Sequence, residues 1–215
     1  MSTFHNEKLQ CAVCGKKSMY PVLTSTNTFG GSPDLDLRPP EMKRSTMRMW
    51  VQECPKCGYV AAEISDQTNI TRDFLKASEY RHCDGIQFQS PLAARFYKFY
   101  KISREEDDHA AAFFAIHCAA WACDDIEDTE NANRCRSLAI ALIPELSTEN
   151  NRDDLSLVKA DLLRRAGRFE ELISQYESIS FDDELLNSIL AFQLEKAKAG
   201  DSGCYRISNV SHEGD

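Results

Sequence analysis

The sequence predicts an α+β chain, a small β-rich module followed by an all-α body. Three observations predict it. Two C-x-x-C-G pairs, Cys11-Ala12-Val13-Cys14-Gly15 and Cys54-Pro55-Lys56-Cys57-Gly58, fall within the first 63 of 215 residues. Short β-prone runs and turn-rich connections surround them. Beyond residue 64, Ile, Leu and Ala recur at three- and four-residue spacing and Gly and Pro become scarce, as helices with an apolar stripe require.

Each C-x-x-C turn puts two sulfurs on one side of a cation, so two such turns make a tetrahedral thiolate site. Gly15 and Gly58 remove the Cβ where the backbone bends sharply. A thioredoxin-like redox pair needs a βαβ context, and neither pair opens a helix after a strand. The reading is one structural Zn2+ per chain, held by Cys11, Cys14, Cys54 and Cys57. A closed four-cysteine site leaves no open coordination position, so such an ion holds structure and does no chemistry. Arg48-Met49-Trp50-Val51-Gln52 is the predicted strand entering the second knuckle and Tyr59-Val60-Ala61 the strand leaving it. Met19-Tyr20-Pro21-Val22-Leu23 follows the first knuckle. Strand, knuckle, strand is the zinc-ribbon pattern, assigned to residues 1–63. The 39 residues between Cys14 and Cys54 exceed the usual spacing of about 15–20. The excess runs from Phe29 to Pro40 and is too rich in Gly and Pro for a helix or central strand.

Residues 64–200 are predicted as helices near 71–82, 91–103, 107–123, 129–143, 153–166, 169–179 and 182–198. Ser90-Pro91 and Asp153-Asp154 mark starts, and Gly167 and Gly200 mark breaks. Arg165-Ala166-Gly167-Arg168-Phe169-Glu170-Glu171-Leu172, with Tyr176 and Ile179, resembles the turn and second helix of a tetratricopeptide repeat. Ile116, Ala119, Ala120 and Cys123 fit a first helix, and Ala132, Ala139 and Pro144 a second. The stretch Ser147 to Arg152 is an insertion in that period. The predicted core includes Phe113, Phe114, Trp121, Leu138, Leu142, Leu163, Phe169, Leu172 and Tyr176. Residues 201–215 form a polar tail.

Composition narrows the function classes. The longest apolar run, Ala110 to Cys123, has 14 residues, short of the ~18 that a membrane helix needs. Met1 to Glu7 has neither a basic start nor an apolar core, so no secretory signal is expected. Nine cysteines without an export signal point to a reducing cytoplasm. The net charge is −9, but residues 1–63 carry eight Lys/Arg against six Asp/Glu. An acidic body repels phosphate backbones, which leaves nucleic-acid contact to the N-terminal third.

Taken together, the chain resembles a family of bacterial proteins that join an N-terminal zinc ribbon to tetratricopeptide-like helices. The residues that carry the resemblance are the two knuckles, the segment from Gly31 to Arg44, and Trp50-Val51-Gln52-Glu53-Cys54-Pro55. The resemblance implies a cytoplasmic protein with four cysteine ligands, and it implies no activity.

Two further groups are candidates for partner binding. Asp34, Asp36, Arg38 and Glu41 lie in the inter-knuckle loop, where they either converge on a ligand or partner or make turns whose charges are solvated or pair across the loop. Arg95, Lys98, Lys101 and Arg104 interleave with Phe96, Tyr97, Phe99 and Tyr100. On a helix they form a basic stripe that either covers acidic neighbours, receives an acidic peptide, or contacts single-stranded nucleic acid. His109, His117, Cys118 and Cys123 lack the i,i+4 spacing of a helical metal site. No phosphate loop, nucleophile elbow or H-E-x-x-H motif occurs. The leading expectation is a non-catalytic scaffold with a protein or peptide partner. The alternatives are a nucleic-acid-associated ribbon and, third, an enzyme using Asp34, Asp36 and Arg38.

Overall fold

A computed structural model describes residues 2–146, 148 and 151–210. Parts of the expected insertion (147, 149 and 150) and of the polar tail (211–215) lie outside them. The chain forms two compact units. The first joins the chain up to Phe29 with Glu41–Cys135, and the second joins Gly30–Pro40 with the chain from Arg136 onward. The expected boundary at residue 63 thus falls inside the first unit, because the helices after it pack on the knuckles.

In the first unit, β1 (Thr3–Gln10) pairs antiparallel with β2 (Lys17–Ser25), and the first knuckle is their turn. The second knuckle likewise joins β3 (Gln52–Glu53) to β4 (Val60–Ala61). Between the hairpins lies a short helix, α1 (Glu41–Arg44). The strand expected over 48–52 is confined to its last residue. Met47–Met49 instead make a 3-10 turn, closed by Trp50 N–H donating to the Met47 carbonyl at 3.1 Å. This turn buries Met47 and Met49. β1 was not foreseen, since its largely exposed residues show no strong alternation.

The helix expected over 71–82 is split into α2 (Arg72–Lys76) and α3 (Ser78–Arg81) by extended Ala77. Then follow α4 (Pro91–Glu105) and α5 (His109–Asp124), packed on each other. Ser90 and Asp108 cap their N-termini by accepting from Ala93 and Ala111 N–H, as small polar N-caps do. On α5, Ala112, Ala115, Ala119 and Ala122 are buried, and their small side chains allow close helix approach. Phe114, expected in the core, is 40% exposed and meets Trp50 with ring centroids 6.0 Å apart. On a helix apolar all round, spacing alone does not identify the inner face.

The division between units falls within α6 (Thr129–Leu146). The second unit contains α7 (Arg152–Arg165), α8 (Phe169–Tyr176) and α9 (Glu184–Lys198), mutually packed, and ends with α10 (Ile207–Val210). Gly167 and Gly200 take φ of 73° and 69° just past α7 and α9, the left-handed conformation that ends helices at glycine. Leu142, Leu163, Leu172 and Tyr176 are buried as expected, while Leu138 and Phe169 are only half-buried. Part of the expected tail is built into this unit. Leu35 N–H donates to the Tyr205 carbonyl at 2.9 Å and Ile207 N–H to the Pro33 carbonyl at 3.0 Å.

Trp121 is 5% exposed and stacks on His117 at 4.5 Å. Trp121→Ala should therefore cost about 3–5 kcal/mol, and Phe114→Ala under about 1 kcal/mol. Urea titration of the two variants checks the assignment of the α5 faces, and equal losses would overturn it.

Candidate metal centre

The two knuckles are built by the same backbone pattern. Gly15 N–H donates to the Cys11 carbonyl and Gly58 N–H to the Cys54 carbonyl, both at 2.9 Å. Cys11 N–H reaches the Lys16 carbonyl at 2.9 Å and Cys54 N–H the Tyr59 carbonyl at 2.8 Å. Gly15 and Gly58 have φ of 71° and 75°, a conformation that strains any residue with a Cβ. The turn therefore requires glycine at these two positions, as the motif indicated.

The four sulfurs lie within 4.8 Å of one another. Across the knuckles, Cys11 Sγ is 3.7 Å from Cys57 Sγ and Cys14 Sγ is 3.6 Å from Cys54 Sγ. A tetrahedral ion with ~2.3 Å metal–sulfur bonds sets sulfurs about 3.8 Å apart, close to the two cross-knuckle distances, so the cluster is of a size to hold one cation. An all-thiolate tetrahedron suits a soft or borderline metal. Cys11 and Cys54 are buried, and Cys14 and Cys57 are half-buried.

The thiols are tuned unequally. Burial pushes Cys11 and Cys57 up, against backbone amides that donate to their sulfurs. Burial also acts on Cys14, but the Lys16 amide and the neighbouring thiols outweigh it and bring Cys14 down to about 7. Without metal, Cys11 and Cys57 are protonated at neutral pH, and an incoming cation must displace those protons.

Three contacts tie the knuckles to neighbouring elements of the same unit. Tyr80 of α3 donates through its hydroxyl to the Gly58 carbonyl at 2.5 Å. Ala12 N–H donates to the Ile64 carbonyl at 3.0 Å. Glu53, beside Cys54, receives Lys98 at 2.9 Å and Arg95 at 3.4 Å from α4. Two of the four stripe cations therefore serve the second knuckle. The third, Lys101, pairs with Asp84 at 2.9 Å. The acidic partners of Arg95, Lys98 and Lys101 are Glu53 and Asp84, not the sequence neighbours 105–108.

Three of the loop candidates, Asp34, Asp36 and Arg38, are buried in the second unit, only 2%, 1% and 5% exposed. A tight turn folds them inward. Leu37 N–H donates to the Asp34 carbonyl and Asp34 N–H to the Arg38 carbonyl, and Leu37 takes φ of 65°. Asp36 accepts from Arg38 N–H at 3.2 Å and from Arg165 Nη1 at 2.8 Å. Sequence reasoning missed the neighbouring network on α7 and α9. Asp161 Oδ1 accepts from Arg164 at 2.7 Å and from Gln193 at 3.0 Å. Arg164 also donates to the carbonyls of Asp201 and Gly203. Burial and the Asp36 carboxylate push Asp161 up, while Arg164 and Arg165 pull it down. The i,i+3 pair Asp161/Arg164 was the available signal, but charged residues at that spacing usually face water.

His117 is buried between Phe113 and Trp121. Among the described residues, no other group of His, Cys, Asp or Glu is arranged to hold a metal, and no helix is long and apolar enough to cross a membrane. No family model matches the chain, and no curated protein or solved structure matches it. The family resemblance therefore stands on its quoted residues alone.

Metal affinity should rise with pH. The raised thiols hold their protons below their folded pKa values, so each fall in pH strengthens competition by protons and weakens binding. Competition titrations at pH 6, 7 and 8 check this, and a flat response would show that the thiols are not the ligands. For the buried loop, Asp36→Ala should cost about 3–5 kcal/mol by removing the carboxylate that pairs with buried Arg165. A loss under ~0.5 kcal/mol, as for an exposed side chain, would mean that the loop's charges are not structural.

Proposed function

We propose that the chain is a non-catalytic interaction protein whose N-terminal ribbon is held by one structural zinc ion. The observation that carries this reading is the closed four-sulfur cluster at tetrahedral spacing. Four protein thiolates leave no position for water or substrate. The carboxylates and guanidinium that a loop-based enzyme would use are engaged in buried pairs and turns. Packing of α7 against α8 across Ala166-Gly167 supports a tetratricopeptide-like hairpin, an architecture that presents surfaces to other proteins. Nucleic-acid binding is the weaker reading, because Lys98 and Lys101 of the α4 stripe are paired with Glu53 and Asp84.

Native mass spectrometry should find one zinc per chain in a colourless protein, and Cys54→Ser should lose it. A coloured protein would indicate iron in the same thiolate set. Because the knuckles and α4 share contacts, chelation should lower amide protection in α4 as well as in the hairpins. Unchanged exchange in α4 would restrict the ion's role to the ribbon. Capture of a protein partner by the zinc-loaded chain should survive nuclease and vary little with salt. A steep fall in binding with ionic strength would favour nucleic acid.

A further inference from the structure

Beside the second knuckle lies a cavity of about 270 Å3, lined by residues 18–21 of β2, by Arg48, Met49, Val51, Gln52, Glu53 and Pro55, and by Arg95. All of these belong to the first unit. Its size is at the small end of ligand pockets, which run from about 300 Å3 upward, so it suits one or two side chains and not a nucleotide or flavin. Met19, Pro21, Met49, Val51 and Pro55 give it an apolar wall.

Its charge is positive. Glu53 is the only carboxylate in the lining, and Lys98 already neutralises it at 2.9 Å. Arg95 approaches the same carboxylate at 3.4 Å through its buried Nε, and its terminal nitrogens make no hydrogen bond among the described residues. Arg48 is exposed and makes no ion pair among the described residues. Two guanidiniums thus face an apolar cavity with donors to spare. Arginine pairs with a carboxylate through two parallel bonds, and one carboxylate here would satisfy Arg95 and approach Arg48.

We propose that this cavity receives an acidic side chain flanked by apolar residues, presented by a protein partner. The proposal rests on the interaction reading above and deepens it by naming the recognised chemistry. Pairing of the partner as an added strand is disfavoured. Pro21 sits mid-strand in β2, opposite Asn6, and a strand proline lacks the N–H that an added strand would need. Recognition therefore runs through side chains. A phosphate backbone is disfavoured as well, since Glu53 stays in the wall and the chain carries −9 overall. Glu53 and Pro55 flank Cys54, so the cavity's shape depends on the closed knuckle.

The test uses the full-length zinc-loaded chain with 13C-methyl-labelled methionine, titrated with acetyl-Leu-Glu-Leu-amide, its Gln analogue and isovalerate. The expected result is saturable shifts at Met19 and Met49 with the Glu peptide, and affinity lower by about tenfold for the Gln peptide, for Arg48→Ala and for Arg95→Ala. Equal binding of the Glu and Gln peptides, or no shift at either methionine, overturns the proposal. Saturation by isovalerate at the peptide's affinity also overturns it, in favour of a small-acid site. Arg48 is exposed, so its variant keeps the test valid if Arg95→Ala misfolds. If the peptide fails but a protein partner is still captured by the Arg48→Ala variant, this site falls and the interaction reading survives. If no partner binds either, both fall.

Discussion

Bringing four sulfurs from two turns to within 4.8 Å of one another is the constraint on which the first unit depends. Each hairpin is a two-stranded ribbon, and such ribbons are marginal alone in water. β3 and β4 have only two residues each, too few backbone bonds to hold a sheet. What steadies the arrangement is the core beneath the sulfurs, where Cys11 and Cys54 pack with Tyr20, Tyr59, Ile64 and Tyr80, and a cation held by the four cysteines would close it. A structural zinc in such a module contributes about 10–16 kcal/mol of apparent binding energy at neutral pH, comparable to the whole stability of a domain. The hydroxyl of Tyr80 then fixes the Gly58 carbonyl of the second knuckle.

The second unit solves a different problem. Asp36, Asp161, Arg164 and Arg165 are nearly inaccessible to water, and burying charges costs more than their attraction returns unless every group is well matched. The geometry reduces that cost. Arg164 uses its fork on one carboxylate, one amide and two carbonyls of the 201–203 stretch. The same side chain therefore fixes a stretch of chain that composition marks as a polar tail. Tyr205 completes the seat by packing on Phe192 at 5.0 Å. A hydrophobic replacement would bury the helices equally well but would leave the 201–203 carbonyls without donors.

Where the sequence spoke clearly, a strong local rule was in force. The knuckles and the caps at Ser90, Gly167 and Gly200 are short-range chemistry, and the structure has them where the motifs fall. Helix bounds shifted by only a few residues, because helix periodicity survives over a dozen positions. Failures came where tertiary context decided. Phe114 sits on a helix with no polar face to orient it. The run 48–52 has strand-forming residues, yet burial of Met47 and Met49 favours a turn. Asp36 looks like a solvated loop charge because its partner Arg165 lies 129 positions away. No local pattern carries that information.

Distribution of charge links these observations. In the first unit the cations of α4 are directed at Glu53 and Asp84, so the basic stripe seen in the sequence is largely consumed in fixing the knuckle and the turn before α4. The turn itself is held in an unfavourable conformation, with Cys83 and Asp84 at φ of 49° and 54°. Asp84 accepts from both Tyr97 and Lys101, which offsets a cost of order 1–3 kcal/mol per strained residue. Net charge is thus a poor guide to partner class here, because what matters is which charges remain after the fold has used the rest. Arg48 is exposed without an ion pair among the described residues, and Arg95 approaches a carboxylate that Lys98 already neutralises. Both line an apolar hollow beside the knuckle, where a partner's carboxylate would gain more than at a screened surface pair.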